Sequence, residues 1–140
     1  MANNVIPDSN HISRYCKPSA VADEKPLPAA FLLREGDDYL SVDWLEVLKQ
    51  VSGSCDSAAI TEALEKRGLK VKKRGKHAIF NVGKLIEYVK EKSPDSRMLS
   101  VHHIPRYRKD SHSGVYSHQE ENNLIAVLIS QTINEVLNTQ

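Results

Sequence analysis

The sequence has little of what marks secreted, metal-binding or membrane proteins. Its two cysteines, Cys16 and Cys55, fit no C-x-x-C spacing, which argues against a zinc or redox site built on them. We expect reduced thiols in a cytoplasmic protein, since nothing in the sequence supports a disulfide. The first residues, MANNVIPDSNHIS, contain no cationic segment followed by an apolar run, unlike a signal peptide. No apolar stretch approaches the roughly 20 residues that span a bilayer, so we expect no membrane partner.

An excess of charge of one sign is also missing. The 19 basic and 18 acidic side chains leave a formal net charge of +1, so a nucleic-acid partner would have to be recognised by a local patch. The chain has no G-x-S-x-G nucleophile motif and no internal repeat. It does have enough length and apolar content, 140 residues and 40% hydrophobic, to form one domain around a core.

The hydrophobic pattern predicts an α+β fold. We expect residues 1–10 to be disordered and residues 11–140 to form a single compact domain with a small, mostly antiparallel sheet and about four helices. The predicted helices, which include a long C-terminal one, cover residues 43–51, 56–67, 82–92 and 119–137. Strands are predicted at 11–17, 29–35, 39–42 and 97–104, with a β-hairpin at 69–80.

Four stretches of the chain together resemble a group of uncharacterised bacterial proteins. They are RYCKP at 14–18, FLLREGDDYLSVDWLE at 31–46, HAIFNVGKLIEYV at 77–89, and VHHIP with DSHSGVY within 101–116. The most specific part is a Leu-Ser-Val-(Asn/Asp)-Trp-Leu-Glu block, which is accompanied by a late Ser-His-Ser block. The resemblance covers most of the chain. It implies a prokaryotic, cytoplasmic protein and brings no activity, cofactor or mechanism with it.

Four of the six histidines fall within residues 102–118, HHIPRYRKDSHSGVYSH. His102 and His103 are adjacent in a predicted strand, so their side chains point to opposite faces and cannot both serve one metal site. The spacing of His112 and His118 fits no common ligand motif. The sequence therefore predicts no metal.

The same segment supplies the candidates for catalysis and for anion binding. His112 and His103 are the candidate acid–base groups. Ser111 and Ser113 could hold an anion near the N-terminus of the predicted 119–137 helix. The alternative is a polar turn without chemistry, in which the serines and His112 bond to the backbone.

Residues 66–76 contain seven cations and no acid. A helix followed by a basic hairpin occurs in winged-helix domains, whose wing contacts nucleic-acid phosphates. Here the helix before the hairpin carries Glu62 and Glu65, which would repel a phosphate backbone. The alternative is a solvated edge hairpin whose lysines prevent edge-to-edge pairing. The candidate nucleic-acid-binding residues are Lys70, Lys72, Lys73, Arg74 and Lys76.

Arg14 and Lys17 form a third polar group, just before Pro18. Arginine can clamp a phosphate or a carboxylate through two N–H donors. If the first predicted strand lies beside the strand at 97–104, then Arg14, His11 and His103 converge.

The function that these patterns favour is a small binding or regulatory module for an anionic ligand, either a phosphate, a nucleotide or a nucleic-acid backbone, with no cofactor. One alternative is a His-dependent hydrolase or transferase acting on a phosphate-containing substrate. Another is a structural protein that forms a homodimer through the apolar C-terminal helix. Because no catalytic spacing is evident, binding is favoured over catalysis. The candidate ligand-binding residues are Arg14, Lys17, Arg106, Ser111 and Ser113.

Overall fold

The computed structural model describes residues 4–118 and 122–139. These residues form eight strands, four α-helices and two 3-10 segments, Pro18–Ala20 and Pro28–Phe31. The strands are β1 (His11–Cys16), β2 (Val21–Ala22), β3 (Lys25–Pro26), β4 (Leu40–Trp44), β5 (Lys76–Asn81), β6 (Ser100–His103), β7 (His112–Tyr116) and β8 (Glu135–Asn138). The α-helices are α1 (Leu45–Ser52), α2 (Ser57–Lys66), α3 (Val82–Lys92) and α4 (Asn122–Ser130).

Six strands form one antiparallel sheet in the order β6-β7-β4-β1-β5-β8, and β2 and β3 form a separate hairpin. The α+β class is therefore confirmed, but the expectation of a small sheet was wrong. β1 pairs along its whole length with β5. Its pairing with β4 covers two residue pairs, Ile12 with Trp44 and Ser13 with Asp43.

The sheet separates two layers of helices. On one face, α3 and α4 pack through residues such as Leu85, Val89 and Ile125 on a core that includes Phe80. On the other face, α1 and α2 pack on Ile79 and form a smaller cluster. Ser13 and Asp43 share this second face with Ile79, because residues paired across antiparallel strands point to the same side.

The helices α2 and α3 each begin directly after a capping residue. The carboxylate of Asp56 accepts from the backbone N–H of Ala59, and the amide oxygen of Asn81 accepts from that of Lys84, each at 3.0 Å. Asp43, the first residue of the predicted helix at 43–51, instead lies near the end of β4 and is buried. That shift makes its carboxylate available to a partner other than the helix backbone.

The long C-terminal helix was a wrong prediction. The helix α4 ends at Ser130, whose hydroxyl donates back to the carbonyl of Val127 at 2.6 Å, and the chain then forms β8 along β5. The longest α-helix of the described residues is α3, with 11 residues. The predicted helix start at residue 119 lies outside the described residues, as do residues 1–3 of the segment expected to be disordered.

Three shorter predictions also differ from the structure. Residues 29–35, predicted as a strand, contain the end of a 3-10 segment, and the first half of the predicted hairpin at 69–80 is a loop. Residues 112–116, for which no strand was predicted, form β7. In the N-terminal segment, Val5 forms a bridge with His102 and Ile6 is buried.

The helix α4 also bears on the predicted homodimer. Four of its apolar side chains are buried in the core of this chain, so they already have an intramolecular packing partner. A homodimer stays a prediction. The four are Ile125, Ala126, Leu128 and Ile129.

Candidate functional site

A cavity of about 620 Å³ lies where β1 and β4 part. Its apolar walls come from the segment around Ala29 and Leu33 and from Leu64 and Leu69 at the end of α2. Its charged lining is strongly unbalanced, since five cationic side chains face one carboxylate, that of Asp43, among the described residues. The cationic residues are Arg14, Lys17, Arg34, Arg67 and Arg106.

Arg67 belongs to an ionic cluster that we define as Asp43, Arg67, Asp110 and Ser111. Its guanidinium contacts both oxygens of Asp43 at 2.8 Å, and its Nη1 lies 3.1 Å from Oδ1 of Asp110. The hydroxyl of Ser111 donates to Asp43 at 2.7 Å. The Arg67 side chain is only 9% exposed, so this charge is neutralised inside the protein.

Asp110 anchors the cluster to the backbone. Burial on its own would raise the pKa of this carboxyl group. The backbone N–H groups of Arg106 and His112, at 2.9 and 3.1 Å, and the Arg67 guanidinium outweigh that effect and lower it. Asp110 is therefore ionised at neutral pH and fixes the turn that leads into β7.

Arg14 is surrounded differently. Its Nε donates to the carbonyl of Ala30 at 3.0 Å, and its Nη1 donates to the carbonyl of Ser41 at 2.9 Å. Within residues 4–118 and 122–139 it forms no ion pair with a carboxylate. Burial lowers its pKa, which expresses the cost of holding this charge away from water. An anion in the cavity would offset that cost.

Ser13 is a second incomplete group in the cavity wall. It is 1% exposed, and its hydroxyl has no hydrogen-bond partner among the described residues. Buried hydroxyl groups are normally hydrogen-bonded. A ligand oxygen could complete the bonding of Ser13.

His112 lies on β7 beside this wall. Its Nδ1 is 2.8 Å from the carbonyl oxygen of Ile104, and its Nε2 is 3.4 Å from the hydroxyl of Ser41. The ring of Tyr39 packs edge-on against it, with ring centroids 5.9 Å apart. The imidazole is therefore held in one orientation, with Nε2 towards Ser41.

The cavity brings together four of the residues proposed from the sequence and leaves out three. Arg14, Lys17, Arg106 and His112 all line it. Ser111 lies in the ionic cluster, Ser113 donates to the carbonyl of Ser111 at 3.0 Å, and Nε2 of His103 contacts the carbonyl of Asp110 at 2.6 Å.

The expected convergence of Arg14, His11 and His103 does not occur. Two strands, β4 and β7, separate β1 from β6. The Nδ1 atom of His11 instead contacts the carboxylate of Glu46 at 2.8 Å.

The predicted nucleic-acid-binding residues are divided between surface and interior. Lys70, Lys72, Lys73 and Arg74 are exposed in the loop between α2 and β5. Lys76 is buried and pairs with Glu24 at 2.7 Å. The backbone N–H of Lys72 donates to the hydroxyl of Tyr15 at 3.0 Å, which ties the loop to the cavity wall.

Sequence reasoning missed Arg67, Asp43 and Ser41 as site residues. Arg67 was counted as one of the seven cations of residues 66–76, and Asp43 was placed in the predicted helix at 43–51. A signal was present for Asp43, since an acid inside the apolar strand LSVDW needs a buried partner. Ser41 carries no comparable signal.

The chain matches no protein-family model, no curated protein and no solved structure. Among the described residues, no helix is both long and apolar enough to cross a membrane, and no group of three or more His, Cys, Asp or Glu side chains could hold a metal ion. Cys16 and Cys55 are both free.

Proposed function

We propose that the cavity between β1 and β4 binds the phosphoryl group of a small organic phosphate. The observation that supports this proposal is the bonding of Arg14 on the cavity wall. Its partly buried guanidinium donates to two carbonyls and contacts no carboxylate of the described residues. Buried charges in proteins are usually paired, and guanidinium groups fit phosphate oxygens well. A phosphoryl group would supply the missing negative charge.

The remaining lining supports the same ligand class. Lys17 and Arg106 add positive charge, and Ser13 adds an unused hydroxyl. The apolar walls around Leu33 and Leu69 suit an organic group attached to the phosphate. The volume of about 620 Å³ lies within the usual range for small-molecule sites, so a nucleoside monophosphate is of suitable size.

Thermal denaturation with added ligand tests this proposal. Adenosine monophosphate or inorganic phosphate at about 100 times its Kd should stabilise the protein by about 2.7 kcal/mol and raise Tm by roughly 10 °C. The Arg14→Met variant should lose most of this shift, and Arg14→Lys, which keeps the charge, should retain part of it. Lys90→Met on the exposed side of α3 is the control and should respond like the wild type.

Calorimetric titration separates the sources of the phosphoryl group. Tighter binding of the nucleotide than of inorganic phosphate would indicate that the apolar walls take part. Equal affinities would restrict the site to the phosphoryl group. If neither compound binds the wild-type protein at low ionic strength, the proposal fails.

A second candidate function is binding of a nucleic-acid backbone. It is favoured by the four exposed cations of the loop 70–74, since none of them pairs with a carboxylate among the described residues. Tyr15 joins this loop to the cavity wall, so a polyanion on the loop could continue from a phosphate inside.

Oligonucleotide binding measured against salt concentration tests this second function. If the four cations each neutralise one phosphate, the slope of log K against log salt for a single strand should be about −3, from roughly −0.7 for each contact. The Lys72→Glu/Arg74→Glu variant should weaken binding and flatten the slope. Lys84→Glu/Lys90→Glu on α3 is the matched control. Equal binding by both double variants would remove the loop from consideration.

A further inference from the structure

Ser41 and His112 form a hydroxyl–imidazole pair at the wall of the cavity. Ser41 lies on β4 and His112 on the neighbouring strand β7, where Asp43 pairs with His112 and Ser41 pairs with Gly114. The Ser41 and His112 side chains therefore point to the same side of the sheet. The Oγ atom of Ser41 is 3.4 Å from Nε2 of His112, and both residues line the cavity.

The bonding of His112 defines which nitrogen is the base. The carbonyl of Ile104 can only accept, so Nδ1 at 2.8 Å carries the proton and donates it. The Nε2 atom then has a free lone pair directed at the Ser41 hydroxyl. This is the arrangement of a nucleophile, a base and a third group that orients the base.

The charge state of the ring suits the same role. Burial lowers the pKa of His112, and the Arg67 and Arg106 guanidinium groups act in the same direction. The Ile104 carbonyl and the Asp43 carboxylate act against them without reversing the shift. The imidazole is therefore neutral at pH 7 and able to accept a proton. The aromatic ring of Tyr39 packs against it from the loop before β4.

Ser41 also lies close to Arg14, the residue proposed to bind the phosphoryl group. Arg14 leaves β1 on the face opposite to Ser13, whereas Ser41 shares the face of Ser13 and Asp43. The guanidinium nevertheless donates to the backbone carbonyl of Ser41 where the two strands part, and both residues line the cavity, so a phosphoryl group there can contact both. Ser41 is exposed, and its hydroxyl is accessible from the cavity. A distance of 3.4 Å is long for a hydrogen bond, but catalytic pairs are often loose before substrate binds.

We propose that Ser41 is the nucleophile, and His112 the general base, of a phosphoryl transfer from a phosphate monoester. This inference rests on the proposed function, because the ester would be bound by Arg14 in the same cavity. It adds a reaction to that binding site and assigns a role to a serine that no sequence pattern singled out.

The reaction balances with the ester and water alone. The Ser41 oxygen forms a bond to phosphorus while its proton moves to Nε2 of His112, and the bond from phosphorus to the ester oxygen breaks. The imidazolium returns that proton to the leaving alkoxide. Water then attacks the phosphoserine, giving one proton to His112, which passes it to the departing Ser41 oxygen. Inorganic phosphate and an alcohol are the products.

The test uses p-nitrophenyl phosphate with the full chain. Wild-type protein should release nitrophenolate, and mass spectrometry after rapid acid quenching should find one phosphoryl group on the peptide that contains Ser41. Ser41→Ala and His112→Gln should each lower turnover at least about 100-fold. Ser52→Ala, at an exposed serine outside the cavity, should leave turnover unchanged.

The outcomes separate this inference from the binding proposal. If Ser41→Ala keeps its stabilisation by phosphate while losing turnover and phosphoserine, both stand. If phosphate stabilises the wild type but turnover does not exceed that of Ser41→Ala, the catalytic pair is wrong and the binding proposal survives. If no phosphate compound binds or reacts, both fail. Because Ser41 is exposed, its alanine variant should fold, which keeps the test decisive where His112→Gln is unstable.

Discussion

Arg67 and Arg14 line the same cavity but lie in opposite electrostatic surroundings. Arg67 contacts two buried carboxylates, Asp43 and Asp110, so its charge is neutralised within the fold. Arg14 contacts two neutral carbonyls. The number of hydrogen bonds alone therefore does not distinguish a cation that stabilises the fold from a cation that can bind a ligand. The presence or absence of a compensating charge does, because desolvation penalises the charged form.

The largest expected effect is that of removing Arg67. In the Arg67→Met variant, Asp43 and Asp110 would stay buried without a cation, which should cost about 3–5 kcal/mol of the free energy of unfolding. Urea denaturation at pH 7 measures this loss. The gap from the wild type should narrow in acid, where the stranded carboxylates become protonated. A loss below about 1 kcal/mol would mean that the ionic cluster is not a structural element.

His77 is a buried titratable group that forms no ion pair among the described residues, so its titration shows what protonating such a group costs. It is fully buried, contacts the hydroxyl of Thr61 at 3.0 Å, and burial lowers its pKa to about 4. The unfolded chain binds the proton with a pKa near 6.5, so stability is fully present above that pH and is lost as the pH falls towards 4. The loss should reach about 3 kcal/mol.

Denaturation profiles between pH 7 and pH 4 check this expectation, with His77→Gln as the comparison. The glutamine variant should show a shallower fall. Some dependence should remain, because the pKa of His112 is lowered as well. Parallel profiles for the two proteins would show that His77 does not control acid stability.

The smallest expected effect is that of Arg14 in the ligand-free protein. The Arg14→Met variant removes two hydrogen bonds to carbonyls, each worth about 1 kcal/mol, but also removes a desolvated charge that forms no ion pair within the described residues. We expect a change in unfolding free energy below about 1 kcal/mol, measured beside Arg67→Met in the same urea series. A loss as large as that of Arg67→Met would erase the distinction between the two arginines.

The fold was predictable where a local signal was complete. Helix α3 combines an apolar stripe with the Asn81 cap, and α2 does so with Asp56, so both were located to within a residue or so. Strand β8 was missed because its partner, β5, is distant in sequence. Strand β7 pairs with the nearby β6 as well as with β4, but its sequence, HSGVY, has no alternation of apolar and polar residues to indicate a strand. The apolar stripe of α4 continues past Ser130, and periodicity alone does not show that the chain leaves the helix there.

The candidate site was predictable to a similar extent. Arg14, Lys17, Arg106 and His112 were chosen for their residue types, and the structure places them on one cavity. Which of them is compensated depends on contacts across the sheet. The contact of Arg67 with Asp110 spans 43 residues, and that of Ser41 with His112 spans 71, so no spacing rule relates them.

The limited pairing of β1 with β4 leaves the two central strands of the sheet joined over only part of their length. Two residue pairs form, at Ile12 and Ser13, and beyond them the Arg14 side chain donates to the backbone carbonyl of Ser41 on β4. A phosphoryl group held there would add contacts that connect the two central strands, β1 and β4. Ligand binding would then also strengthen the connection between β1 and β4, and the bound protein should have a more rigid sheet at its centre than the free protein.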